Sequence, residues 1–317
     1  MARFLLRRAL GMALVMFAVS VLVFVIFQVI PAGDPAVRMA GKNATPLQVE
    51  QIRETWHFDA PLPEQYLIMM RQVLSGSLVS YTDQTNVLEE IGKGLPRTLS
   101  LALGAAILWI VLGVALGLYS AVRAGRISDR LLTVLALVGV SMPVFLLGAL
   151  MSYFLGYKLG WFPNGGYSEI AAGGIGQWAY HLVLPWVALA ILYVGVYSRV
   201  LRSSVLDTID DDYVRTARAK GISERRVLFA HVLRNALIPV ITLWGLDLGV
   251  VIGGGAVLTE TVFDLQGVGQ YFAQAIGRFD VPPVLAVTLL GAFLIVFLNT
   301  LVDVVYALLD PRVRVVS

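Results

Sequence analysis

Six stretches of mainly apolar residues, each long enough to cross a bilayer, constrain this chain more than any other feature. They are Ala9–Ile30, Thr98–Tyr119, Leu131–Tyr157, Tyr180–Ser198, Leu237–Leu258 and Pro283–Leu308. A helix needs roughly 20 such residues to span the hydrocarbon core. A soluble domain carries about a quarter of its residues charged; here 14% are charged and 58% hydrophobic. The expected fold is an all-α polytopic membrane protein with six transmembrane helices. The same composition excludes disorder. The absence of Cys excludes a disulfide scaffold and Cys-ligated zinc or iron–sulfur sites. A net charge of +3 leaves no nucleic-acid footprint. Arg3, Arg7 and Arg8 precede the first stretch, which outruns the ~7–15-residue apolar core of a signal peptide and is read as a retained span.

Six spans place both termini on one side, and the distribution of Lys and Arg selects it. With a cytoplasmic N-terminus, the inner segments hold 16 of the 24 Lys and Arg residues. Of the other 8, six fall in one long outer loop. The expected division is therefore 1–30, the N-terminus and first span; 31–97, an outer segment; 98–308, a five-helix core; and 309–317, a cytoplasmic tail.

The outer segment reads as helical. Thr45-Pro46-Leu47-Gln48 is a capping box with proline at the first helical position. A second helix is predicted from Pro63, with Tyr66, Leu67, Met70, Val73 and Leu74 on one face. A third piece is expected at Asn86–Lys93. The segment reads equally as a cap on the membrane surface or as part of a docking surface.

The inner loop 199–236 differs in kind: it is basic and carries two helix signatures. Asp211 or Asp212 is placed to cap a helix running to Lys220, and Gly221 to end it. Ser223 is placed to cap the next helix, with Glu224 in its first turn and Leu228, Phe229, Val232, Leu233 and Ala236 as its apolar face. A basic cluster alone would serve topology or bind anionic lipid. A folded helix–turn–helix is more than a charge tag requires and suits a cytoplasmic partner.

Within it, Asp212-Tyr213-Val214-Arg215-Thr216-Ala217-Arg218-Ala219-Lys220-Gly221 resembles the coupling loop of ABC importer permeases, most closely the dipeptide/oligopeptide/nickel family. Arg215-Thr216-Ala217 stands where the general signature has Glu-Ala-Ala, and Pro239 lies farther downstream than in sugar permeases; both departures resemble the peptide branch. Ile30-Pro31-Ala32-Gly33-Asp34-Pro35, Leu159-Gly160-Trp161-Phe162-Pro163, Leu258 to Phe263 with Gly267-Val268-Gly269, and Leu309 to Arg314 resemble further family segments, so the similarity covers nearly the whole chain. The long loop after the first span resembles the B-type member of a heterodimeric pair. The resemblance implies a type I importer permease in a bacterial inner membrane, paired with a C-type permease. Two cytoplasmic ATPases would bind ATP and Mg, and an extracytoplasmic binding protein would deliver substrate. Tyr213, Arg215, Thr216, Ala217, Ala219, Lys220 and Gly221 would contact the ATPase, and ATP-driven closure of the ATPase pair would open the spans outward. The implied cargo is di- or oligopeptides, with glutathione, nickel chelates or another small solute as alternatives.

Other residues fit this picture. The Gly-Lys pairs Gly41-Lys42 and Gly92-Lys93 lack the spacing and the following Ser or Thr of a phosphate-binding loop, so no ATPase site or cofactor is expected in this chain. Gly245, Gly249 and Gly253 form a ridge in the fifth span, suited to close helix packing, to sliding during transport, or to contact with the partner permease; Gly113 and Gly117 are a weaker pair. Asp247 and Asp303 lie within spans, where a carboxylate needs a cavity or a partner. Asp247 is a candidate pathway residue for a cationic group; Asp303 suits a helix contact. An ion-coupled carrier using these two acids is the alternative of another class. His57, His181 and His231 form no metal spacing, and no catalytic constellation supports a membrane-embedded enzyme.

Overall fold

The computed structural model describes residues 2–30, 34, 36–37 and 45–309, with side chains from residue 9 to residue 301 of that set. The sequence features at 31–33, 35, Gly41-Lys42 and 310–314, and the side chain of Asp303, lie outside it. Helix dominates the described residues, with a lone bridge between Val79 and Asn86.

Helix α1 (Ala2–Phe24) ends in a π-helical turn, Val25–Val29. Two shorter helices follow, α2 (Pro46–Thr55) and α3 (Leu62–Ser75). The capping box forms as expected: Gln48 N–H donates to Thr45 Oγ1 at 3.4 Å, and Thr45 N–H donates to Gln48 Oε1 at 2.8 Å. Then come α4 (Val87–Val122), α5 (Ile127–Ser141) and α6 (Val144–Met151), the last continued by a π-turn, Ser152–Lys158. Helix α7 (Ile170–Thr208) is kinked at Gly174. After α8 (Asp212–Ala219) a continuous rod runs from Glu224 to Gly255: α9 (Glu224–Arg226), a π-turn Val227–Val232, α10 (Leu233–Val250) and a π-turn Val251–Gly255. Helices α11 (Val257–Val262), α12 (Val268–Gly277) and α13 (Val281–Leu309) complete the chain. Five helices are long and apolar enough to span a membrane, and the bent pair of α5 and α6 makes the count six if it is one span.

The bend falls inside Leu131–Tyr157, which the sequence presents as a single helix. Helices α5 and α6 meet at 97°. Met142 is extended, at φ −85° and ψ 131°, because the ring of Pro143 disfavours helical geometry in the residue before it. Two smaller corrections concern the outer segment. Asn86–Lys93 is not a separate piece: Asn86 caps α4 by accepting from the N–H groups of Leu88 and Glu89 at 2.9 and 3.1 Å, and the helix then runs unbroken to Val122. On α3 the packed residues are Tyr66, Met69, Met70 and Val73, whereas Leu67 and Leu74 face outward. Leu67 and Leu74 lie outside the stripe of α3 that packs on the protein.

The main core lies where α4 crosses α7, with Leu101, Trp109, Tyr197 and Leu201 fully buried. Gly113 and Gly117 permit the approach. A Cβ on Gly113 would meet Tyr197 Cβ at 2.6 Å, and one on Gly117 would meet the Ser198 carbonyl at 2.7 Å. A second cluster joins α1, α3, the start of α4, α12 and α13 through Phe24, Met69, Val87 and Leu285. Buried Asp280 ties the α3–α4 loop to α13, accepting from Ser80 Oγ at 2.5 Å and Tyr81 N–H at 2.9 Å.

Candidate functional site

Helix α8 has two distinct faces. Val214 and Ala217 are buried against the protein, while Asp212, Tyr213, Arg215, Thr216, Ala219 and Lys220 are exposed. Its end is a Schellman turn. Ile222 N–H donates to Ala217 C=O at 3.4 Å, Gly221 N–H donates to Arg218 C=O at 2.9 Å, and Gly221 has φ +75°. That left-handed position is one glycine takes without a Cβ penalty. Asp211 and Ser223 occupy the two N-cap positions, as expected, but neither side chain makes a capping hydrogen bond. The helices are joined by side chains instead. Arg218 donates to Glu224 through Nε at 3.0 Å and Nη2 at 3.4 Å. Tyr213 accepts from Asn235 Nδ2 at 2.7 Å and donates to the His231 carbonyl at 3.4 Å. Of the predicted coupling residues, Tyr213 therefore braces the loop, Ala217 is its buried anchor, and Arg215, Thr216, Ala219, Lys220 and Gly221 form the open surface.

The second helix of the loop corrects one residue of its predicted apolar face. Phe229 is 52% exposed, and Val227 is buried in its place beside Val232 and Ala236. The π-turn over Val227–Val232 adds a residue to the helical repeat and rotates the face.

Within the bundle, Asp247 is half-buried and accepts from Tyr197 Oη at 2.7 Å. Tyr197 belongs to an aromatic group in which Trp109 and Tyr193 stack at 4.3 Å. Gly245 and Gly249 are buried, and Gly249 and Gly253 face α13 of the same chain. A Cβ on Gly249 would reach Leu298 at 3.5 Å, and one on Gly253 would reach Ile295 at 2.6 Å and the Gly291 carbonyl at 3.0 Å. Gly249 and Gly253 thus meet α13, while Asp247 meets α7.

Two polar centres escaped the sequence reading because their partners are distant in the chain. Asp129, at the start of α5, is gripped by Arg202 of α7, accepts from Gly125 N–H at 2.9 Å and also pairs with Ser120 Oγ. At the other end of the bundle, Glu260 is fully buried. It accepts from Thr98 Oγ1 at 2.7 Å and Gln270 N–H at 2.9 Å, the latter in the first turn of α12. Burial pushes the Glu260 carboxyl above the usual range, against the opposing effect of these donors. Side chains on Gly267 and Gly269 would collide with this carboxylate or its partners, which accounts physically for glycine at both positions. Among the described residues no cluster of His, Asp and Glu is arranged to hold a metal.

Residues 113–315 match the family model described as the binding-protein-dependent transport system inner membrane component, and residues 1–102 match its N-terminal companion. The chain therefore belongs to the binding-protein-dependent ABC transport permeases, multi-pass components of the inner membrane. Membership implies an ATPase and a binding protein as partners, and places it in an ATP-driven class rather than among ion-coupled carriers. It is similar, at 38% identity across 99% of this chain and all of the relative, to a Sinorhizobium fredii protein named "Probable peptide ABC transporter permease protein y4tP". It is 35% identical, across 99% of both chains, to an Escherichia coli protein named "Glutathione transport system permease protein GsiC".

Proposed function

We propose that this chain is the B-type half of a heterodimeric permease importing short peptides, with α8 as the element that receives motion from the ATPase. The observation that carries the reading is the two-faced α8. A buried Val214/Ala217 anchor, a glycine-ended turn and the Arg218–Glu224 and Tyr213–Asn235 braces present five polar or small residues on a firm base. The excess of Lys and Arg on that side supports cytoplasmic termini and a cytoplasmic loop. We keep the division into 1–30, 31–97, 98–308 and 309–317, with the α2–α3 segment outside and α4 crossing the 97/98 boundary. Peptide cargo is favoured by the name of the S. fredii relative, and glutathione, itself a tripeptide, by that of the E. coli relative.

Gly221→Asp in the assembled complex tests the coupling role. Substrate-stimulated ATP hydrolysis should be lost while membrane insertion is intact; normal stimulation would overturn it. Co-purification of a second permease, two ATPases and a binding protein tests the assembly.

A further inference from the structure

A slot of about 280 Å³ opens among α4, α5 and α7. Its walls are mainly aliphatic, through Leu112, Leu116, Leu135, Ile191 and Val194, and Arg199 and Arg202 stand at the end nearest α8. The two arginines differ. Arg202 is committed to Asp129 through both prongs of its guanidinium. Arg199 lies three residues earlier, about one turn deeper in the bundle. It commits only Nε, which donates to the Gly195 carbonyl at 3.1 Å. Among the described residues its two Nη groups have no hydrogen-bond partner, and it pairs with no carboxylate. A guanidinium within a span calls for an anion or a polar neighbour.

The turn between α4 and α5 lies at the same end, since Asp129 beside it is the group that Arg202 holds. It exposes Arg123, Arg126 and Arg130, and its one acid, Asp129, is already taken. Val122 and Ile127, 58% and 75% exposed, stand among these cations. Exposed apolar side chains interleaved with arginines suit the level of lipid headgroups. An aliphatic slot, an available guanidinium at its end and a positive rim together complement a phosphate that carries a hydrocarbon chain.

We propose that the α4–α5–α7 slot binds an anionic phospholipid of the leaflet on the α8 side. One acyl chain lies between α5 and α7, and the phosphate accepts from the Nη groups of Arg199. The exposed arginines of the α4–α5 turn supply the preference for a headgroup with net negative charge. The inference concerns the surrounding membrane rather than the cargo, and does not depend on the peptide reading.

The full chain with its co-purifying subunits is reconstituted in nanodiscs of equal dioleoyl-phosphatidylglycerol and dioleoyl-phosphatidylcholine. After release into detergent, native mass spectrometry counts the lipids retained. Phosphatidylglycerol should be retained over phosphatidylcholine by roughly fivefold or more. Arg199→Gln should remove most of that preference, and so should Ala136→Phe, which fills the slot from α5. Arg278→Gln, on the outer loop before α13, should leave it unchanged. No preference in the unmodified protein, or a full preference in Arg199→Gln, would overturn the proposal. A full preference in Ala136→Phe would assign it to surface charge alone and overturn the slot as its site. Cross-linking of Leu135→Cys to a second permease chain in native membranes would show that protein covers the slot, and would overturn it equally. If Ala136→Phe fails to insert, Ile191→Trp narrows the slot from α7 and carries that arm. Absence of ATP-driven peptide uptake would count against the transport reading and leave this lipid result standing.

Discussion

Arg202 holds Asp129 by a two-pronged grip, Nε to Oδ1 at 2.8 Å and Nη2 to Oδ2 at 2.9 Å, pinning the start of α5 to α7. The Asp129 side chain is 5% exposed and that of Arg202 31%. Removing the carboxylate loses both charged hydrogen bonds but leaves Arg202 partly hydrated, so the cost is about 2 kcal/mol. Asp129→Ala should lower the thermal midpoint of the purified protein markedly. Arg202→Lys, which keeps the charge but loses the fork, should fall between the two. Equal midpoints for all three proteins would show the pair to be dispensable.

The two faces of α8 separate folding from coupling. Val214→Asp places a charge in a fully buried site and should abolish accumulation of folded protein. Arg215→Ala and Lys220→Ala alter exposed side chains and should shift stability by no more than about 0.5 kcal/mol. In the assembled complex they should nevertheless reduce substrate-stimulated ATP hydrolysis severalfold. Unreduced stimulation would remove these side chains from the docking surface.

Asp247→Asn retains an acceptor for Tyr197 and removes only the charge. Stability should stay within about 1 kcal/mol of the parent. If the carboxylate attracts a peptide amino group in the pathway, uptake of a free peptide should drop at least threefold while that of its N-acetylated form is unaffected. Unaltered uptake of both forms would leave Asp247 with a purely structural place beside Tyr197.

Glu260 links stability to pH. Its carboxyl is raised in the folded protein because burial disfavours the charge. The folded chain therefore holds this proton more tightly than the unfolded chain does. The contribution is fully present below the unfolded value of about 4.3 and is lost as pH rises through the higher folded value. Thermal midpoints measured across the weakly acidic range should carry this downward slope with increasing pH, and Glu260→Gln should flatten it. A variant with the same slope as the parent would assign the pH dependence to other groups.

Much of the architecture is legible from local pattern. The apolar runs, the Thr45 capping box and the Gly221 turn each depend on residues within a few positions of one another, and each appears where expected. The departures have two physical origins. Hydropathy is blind to direction, so Leu131–Tyr157 reads as one rod although Pro143 bends it by 97°. Helical-wheel reasoning assumes a constant repeat, so the π-turn at Val227–Val232 exchanges Phe229 for Val227. The buried polar centres were invisible for another reason. Thr98 and Glu260 are 162 positions apart, and Asp129 and Arg202 are 73 apart; no local pattern announces either pair. The Asp247 hydrogen bond likewise required knowing which face of α10 meets α7.

The run from Glu224 to Gly255, helical as far as Gly254, has a mechanical consequence. At ~1.5 Å per residue, its 32 residues make a shaft of roughly 48 Å. One end is braced to α8 and the other stops at Gly254, whose φ of 139° breaks the helix just before α11. A tilt of about 5° about either end sweeps the opposite end through ~4 Å on that geometry, about three quarters of a helical turn. If α8 receives motion from a partner, a shaft of this length would turn a small angular input at the loop into a stroke at the far side of the bundle.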